Sequence, residues 1–222
     1  MSTSRRDVLK MAGVAFAGTA LPTITILNPN KAFAGVNADT LKVGLIGCGG
    51  RGSGAANQAL KADSNVVLHA VGDIFADKME ASLTGLRKVH GSKVTVDEGR
   101  KFIGFDAYQK VLDSGVDVVI LTTPPHFRPD HLMAAVKAGK HVFCEKPVAV
   151  DAQGVRKVLE AAKIAKQKKL SLMSGFCWRY HEAKRAIFGR ILDGAVGDIS
   201  TVYNTYDTGT LSSFPRQPQW TD

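Results

Sequence analysis

Residues 116–122 read Val-Asp-Val-Val-Ile-Leu-Thr, an apolar run rich in β-branched residues and without strict alternation of polar and apolar positions. A strand with one wet face alternates; a strand covered on both faces does not. Covering both faces requires helices above and below a sheet, and the neighbouring sequence supplies them. Strands are expected at 41–46, 66–71, 141–144 and 170–173, with helices at 51–60, 76–90, 105–112 and 129–138 between them. Met79, Leu83 and Leu86 repeat at helical spacing, and Gly139 supplies a helix stop. Asp151 suits the N-cap of a further helix whose apolar positions Val155, Val158, Leu159 and Ala162 share one face. This alternation predicts an α/β fold, a doubly wound parallel sheet joined by right-handed crossovers. After about residue 175 the rhythm changes. A helix is expected at 181–192 and a strand-like segment at 199–206, and residues 211–222 show no periodicity. The expected division is residues 35–174 as the parallel-sheet domain and 175–222 as the incomplete beginning of a second one.

Between the first strand and the first helix lies Gly-Cys-Gly-Gly-Arg-Gly, a G-x-G-x-x-G with Gly47, Gly49 and Gly52 and with Cys48, Gly50 and Arg51 between them. The motif alone is common. Here a strand precedes it, a helix follows it, and Asp73 closes the next strand 21 residues after Gly52. In a Rossmann dinucleotide site Gly47 makes the tight turn, Gly49 lets the backbone approach a pyrophosphate, and Gly52 lets helix and strand pack closely. The helix N-terminus offers N–H groups and a positive dipole end to the anion. Asp73 is expected to accept from the adenosine ribose hydroxyls. Its charge opposes a 2′-phosphate and favours NAD, while the Arg51 guanidinium, able to pair with phosphate, keeps NADP open.

Two further loops follow strand ends, where open α/β sheets place their ligands. Thr122-Thr123-Pro124-Pro125-His126 follows the 116–122 strand, and Glu145-Lys146-Pro147 follows the 141–144 strand. The prolines stiffen a loop against which a nicotinamide ring could lie. Lys146 brings a cation that can orient a substrate hydroxyl and stabilise a developing alkoxide. Lys146–Pro147 is a candidate cis bond. The alternative for Glu145 and Lys146 is an exposed charged pair on a surface loop.

The segment Gly139-Lys140-His141-Val142-Phe143-Cys144-Glu145-Lys146-Pro147 resembles the signature of the Gfo/Idh/MocA oxidoreductases. The resemblance extends to the glycine turn, the Thr-Thr-Pro-Pro loop, His131, Gly175-Phe176 and Arg179-Tyr180. It implies an N-terminal Rossmann domain followed by an α+β domain built on an open antiparallel sheet, which carries substrate and oligomer contacts. It implies that Lys146 contacts substrate and nicotinamide as the catalytic lysine, that Arg179 and Tyr180 lie on the substrate side, and that an Asp and an acid/base His stand further along. None of His69, His90, His126, His131, His141 and His181 fits that base, and His131, on a helix of the parallel-sheet domain, is expected to be structural or to stand behind the residues that touch the ligand. The expected activity is hydride transfer between NAD(P) and a sugar or cyclic polyol hydroxyl by a homo-oligomer. The alternatives are an NAD-dependent glycoside hydrolase on the same scaffold and an inactive nucleotide-binding fragment.

The chain has 222 residues, a net charge of +9, 45% hydrophobic and 22% charged residues. No basic run is interleaved with aromatics, which argues against nucleic-acid binding. Three dispersed cysteines, Cys48, Cys144 and Cys177, form neither a disulfide framework nor a metal-binding pair, and Cys48 and Cys144 suit buried apolar positions. At the front, Arg5-Arg6 precedes an uncharged stretch from 11 to 30 and then Ala32-Phe33-Ala34. Charged start, apolar middle and small-residue cleavage site form a signal peptide over 1–34, and the paired arginines resemble a twin-arginine (Tat) signal. Its glycines and proline weaken it as a membrane anchor, so a periplasmic location is expected.

Overall fold

A computed structural model describes residues 40–209, 215, 216 and 218. The expected signal segment, residues 1–34, and the segment 219–222 lie outside the described residues.

Among the described residues the strands are β1 (Leu41–Ile46), β2 (Val66–Asp73), β3 (Lys101–Ile103), β4 (Val118–Leu121), β5 (His141–Cys144) and β6 (Leu172–Ser174). The helices are α1 (Gly50–Ala62), α2 (Ala76–His90), α3 (Ala107–Asp113), α4 (Arg128–Lys137), α5 (Ala152–Gln167) and α6 (Glu182–Leu192). The strands form one sheet in the order β3-β2-β1-β4-β5-β6, and every pairing is parallel. Each parallel neighbour is therefore reached by a crossover, and the order reverses between β1 and β4, where such sheets open a crevice.

Two apolar cores flank the sheet. Leu45, Leu68 and Ile120 pack with Leu60 of α1 and Met79 and Leu83 of α2. Ile46, Val119 and Leu121 pack on the other face with Val111 of α3, Leu132 and Val136 of α4 and Ala161 of α5. Successive residues of β1 and β4 thus enter opposite cores, which explains why their sequences carry no polar alternation.

Two expectations are corrected here. On α5 the buried face is Ala161 and Ala165, with Val158 packed beside them, whereas Val155 and Leu159 are exposed. The reason is close approach: a Cβ on Gly154 would meet Pro129 Cγ at 3.1 Å and Ala149 Cβ at 2.9 Å, so small side chains take the contact with α4. Residues 199–206 are not a strand; they are exposed and irregular, with no pairing partner among the described residues. The short edge strand β3 was not expected at all. The Asp151 cap does form, its Oδ1 accepting from Gly154 N at 2.6 Å. No helix among the described residues is long and apolar enough to cross a membrane.

Candidate functional site

The C-terminal ends of β1, β2 and β4 surround a cavity of about 430 Å³. Its floor is the glycine turn. Gly47 has φ +95, and a Cβ there would lie 2.7 Å from Thr123 N, so the turn tolerates no side chain. A Cβ on Gly52 would sit 1.9 Å from the Gly47 carbonyl oxygen, which is how α1 starts so close to β1. Thr122 Oγ1 ties the turn to β4 by donating to Gly47 O at 2.6 Å. Gly49 differs from both: a Cβ there would meet nothing within 4 Å. The backbone is open at this point, and α1 begins without a side-chain cap. First-turn N–H groups have no acceptor within their own helix, so an anion approaching Gly49 finds them available. Turn, open backbone and uncapped helix fit a dinucleotide pyrophosphate.

Asp73 lines the same cavity, and backbone donors hold its carboxylate. Oδ2 accepts from Cys48 N at 2.5 Å and Oδ1 from Phe75 N at 2.9 Å. The residue thus fixes the glycine turn as well as facing the cavity. Beneath it, burial and then the Asp73 charge push the Cys48 thiol up to about 12, and burial pushes Cys144 to about 11. Both are packed in the cores, as their positions in the sequence suggested.

Of the other expected residues, Thr122, Thr123 and Pro124 line the cavity. Pro125 and His126 do not; His126 is exposed, its ring edge-on to Phe127. His131 forms part of the wall. It stacks on Tyr108 at 4.2 Å between centroids, and its Nδ1 lies 3.3 Å from Thr123 Oγ1. Burial lowers its pKa to about 4, so it stands neutral at physiological pH. It is held among aromatic side chains while facing the cavity.

Arg51 points away from Asp73. Its Nε donates to Glu145 Oε1 at 2.8 Å, and Nη2 lies 2.7 Å from the same oxygen. Glu145 directly follows β5, whereas Asp73 ends β2 on the other side of β1 in the sheet order. The guanidinium expected as a possible partner of a 2′-phosphate is therefore committed to the far shoulder of the turn. Glu145 is only 3% exposed, which corrects the alternative of a solvated Glu145–Lys146 pair. Lys146 itself is exposed and does not line the cavity; its bond to Pro147 is cis. Arg179 and Tyr180 are exposed on a short 3-10 turn, with Arg179 placed 5.5 Å over the Phe176 ring. Cys48, Gly49 and Gly50 also border a second groove, of about 520 Å³, between α1 and α2.

The cavity has an aromatic wall that sequence reasoning missed: Phe75, Phe105, Tyr108 and Phe127, with Arg128 at its edge. Phe75 and Phe105 are exposed apolar residues just past strand ends, where burial in the sheet no longer explains an apolar choice.

Fold and site together define a dinucleotide-binding Rossmann domain. Residues 41–176 match the GFO_IDH_MocA oxidoreductase family, described by its NAD-binding Rossmann fold. The chain belongs to that family. An inositol 2-dehydrogenase of Salmonella typhimurium is 32% identical over 181 residues, covering 81% of this chain and 50% of the relative. Apo scyllo-inositol dehydrogenase from Lactobacillus casei superposes with a TM-score of 0.57 at 26% identity, over 73% of this chain and 44% of that one. The same enzyme solved with NAD(H) and scyllo-inositol shares the fold, with a TM-score of 0.59 at 23% identity over the same shares. The chain spans about half the length of the curated relatives it matches.

Proposed function

We propose that this protein binds NAD(H) across the 430 Å³ cavity and oxidises a hydroxyl of a sugar or cyclic polyol such as an inositol. The observation that carries the proposal is the turn itself: Gly47 and Gly52 sterically closed, Gly49 open, and Asp73 beside them. The N–H groups opening α1 would hold the pyrophosphate, Asp73 the adenosine ribose, and Thr123 and Pro124 the side toward the nicotinamide. Bound nicotinamide would supply the hydride acceptor. Lys146 would hold its proton at Nζ and donate a hydrogen bond to the substrate oxygen, while the hydroxyl proton would pass to the acid/base His that the family resemblance places further along, outside the described residues. Asp73 and the diversion of Arg51 to Glu145 favour NAD over NADP. The relatives named above are dehydrogenases, and no feature of the cavity favours the glycoside hydrolase alternative.

Fluorescence titration with NADH tests binding, and appearance of the NADH absorbance band with NAD and myo-inositol tests turnover. Lys146→Ala is expected to lower turnover by at least about 100-fold while NADH still binds. Unchanged turnover would remove the lysine from the mechanism, and a failure of the chain to bind NADH would end the proposal.

We further propose that residues 175–222 begin a substrate and oligomerisation domain, and that residues 1–34 direct export with cofactor already bound. The paired arginines, the uncharged stretch and Ala32-Phe33-Ala34 support the second point. Replacing Arg5 and Arg6 with Lys should retain the protein in the cytoplasm on cell fractionation; periplasmic recovery of that variant counts against a twin-arginine route.

A further inference from the structure

Lys146 lies between two residues that are each held by an arginine from elsewhere in the chain, Glu145 through its carboxylate and Pro147 through its carbonyl. On the N-terminal side, Glu145 is nearly fully buried; its Oε1 accepts from Nε of Arg51, 94 residues distant, and lies 2.7 Å from Nη2, which itself donates to Gln58 Oε1 at 3.2 Å. Charge-assisted contacts of this kind are stronger than neutral ones and fix direction. The carboxylate packs against Gly175, where a Cβ would come within 2.9 Å of its carbon and of both oxygens, so only glycine leaves it this place. Glu145 Oε2 also accepts from Lys146 N at 3.3 Å. On the C-terminal side, the Pro147 carbonyl accepts from Nη1 of Arg128. Arg128 is the first residue of α4 and is 5% exposed. Its Nε is buried and has no partner among the described residues. Burying a guanidinium with an unused N–H is costly, which is a poor choice for mere packing.

We propose that Arg51 and Arg128 are positioning residues that clamp the loop on either side of Lys146. Arg51 belongs to the glycine turn, so the clamp makes the nucleotide site and the lysine loop one rigid piece. The lysine is thereby aimed at the bound cofactor instead of sweeping through solvent. This rests on the proposed role of Lys146 beside the nicotinamide.

The test reads the reactivity of Lys146 directly, without turnover. The chain is reductively methylated with formaldehyde and cyanoborohydride, and the rate at Lys146 is followed by peptide mass spectrometry, with exposed Lys137 as internal standard. NADH is added at about ten times each protein's own Kd, where a fully shielded amine reacts about tenfold more slowly. Wild type is expected to show that protection. Arg51→Met and Arg128→Met are expected to lose most of it, falling below about twofold, while Arg51→Lys restores it in part. Gly175→Ala, which displaces the Glu145 carboxylate without altering any charge, should lose protection likewise. It carries the test if the arginine variants do not fold by thermal melting. Wild-type protection that survives in Arg51→Met and Gly175→Ala overturns the clamp and leaves the role of Lys146 standing. No protection in wild type, with NADH bound, overturns that role and the clamp with it.

Discussion

Asp73 and Glu145 are both carboxylates at strand C-termini, and they flank the same glycine turn from opposite sides. Asp73 faces a cavity and is held by two backbone N–H groups, which side-chain substitutions other than to proline leave in place. Glu145 is buried and held mainly by one side chain, Arg51. One shoulder is thus built to remain in place while presenting charge to the cavity. The other depends on a distant residue and presents only Lys146 to the outside. Position along a strand does not decide a carboxylate's task; what donates to it does.

The comparison can be broken first at Glu145. Arg51→Met leaves a buried carboxylate without its cation and should lower unfolding free energy in urea by about 3 kcal/mol, the low end for a broken buried pair because water reaches the Arg51 side. A loss under about 1 kcal/mol would show that Glu145 does not depend on its partner. On the Asp73 side the largest effect is one of pH. His131, in the same cavity wall, has its folded pKa depressed from 6.5 to about 4 by burial. Its contribution is fully present above pH 6.5 and is lost as pH falls toward 4, a total of about 3 kcal/mol. His131→Phe keeps the stack and should flatten that acid loss; an unchanged pH profile would exclude His131 as its source. Next in size is Asp73→Asn, which keeps an acceptor and removes the charge. The ratio of NADH to NADPH affinity should shift about tenfold toward NADPH in paired titrations, or about 1.4 kcal/mol. An unaltered ratio would mean that Asp73 serves the turn alone. Smallest is Phe75→Ala. It should weaken NADH binding about threefold and leave stability within about 0.5 kcal/mol, since the ring is exposed.

The two shoulders were not equally legible in the sequence. The turn and Asp73 lie within one βαβ unit, so strand, glycines, helix and acid could be read in order. Pairing Glu145 with Arg51 joins residues 94 apart, and no local pattern announces such a contact. The parallel sheet was legible because β1, β2, β4 and β5 are apolar runs with helical patterns between them. β3 escaped because a three-residue edge strand buries too little to leave an apolar run. The opposite error occurred at 199–206, where Val202, Tyr203 and Tyr206 have strand-like chemistry and remain exposed. β-propensity describes how well a side chain suits a pleated, half-covered surface, and it creates no strand without a partner. α5 failed in a third way: apolar periodicity found a helix but not the side that alanines bring close to α4.

Cys48 stands at the centre of the turn, its N–H bonded to Asp73 and its sulfur 3.7 Å from the Gly72 carbonyl oxygen. Oxidants and electrophiles attack the thiolate, and at a pKa of about 12 almost none exists at neutral pH. The sulfur at the centre of the glycine turn is therefore a poor target for oxidants and electrophiles. Cys177, by contrast, is exposed beside Trp178 and open to whatever chemistry the solvent brings.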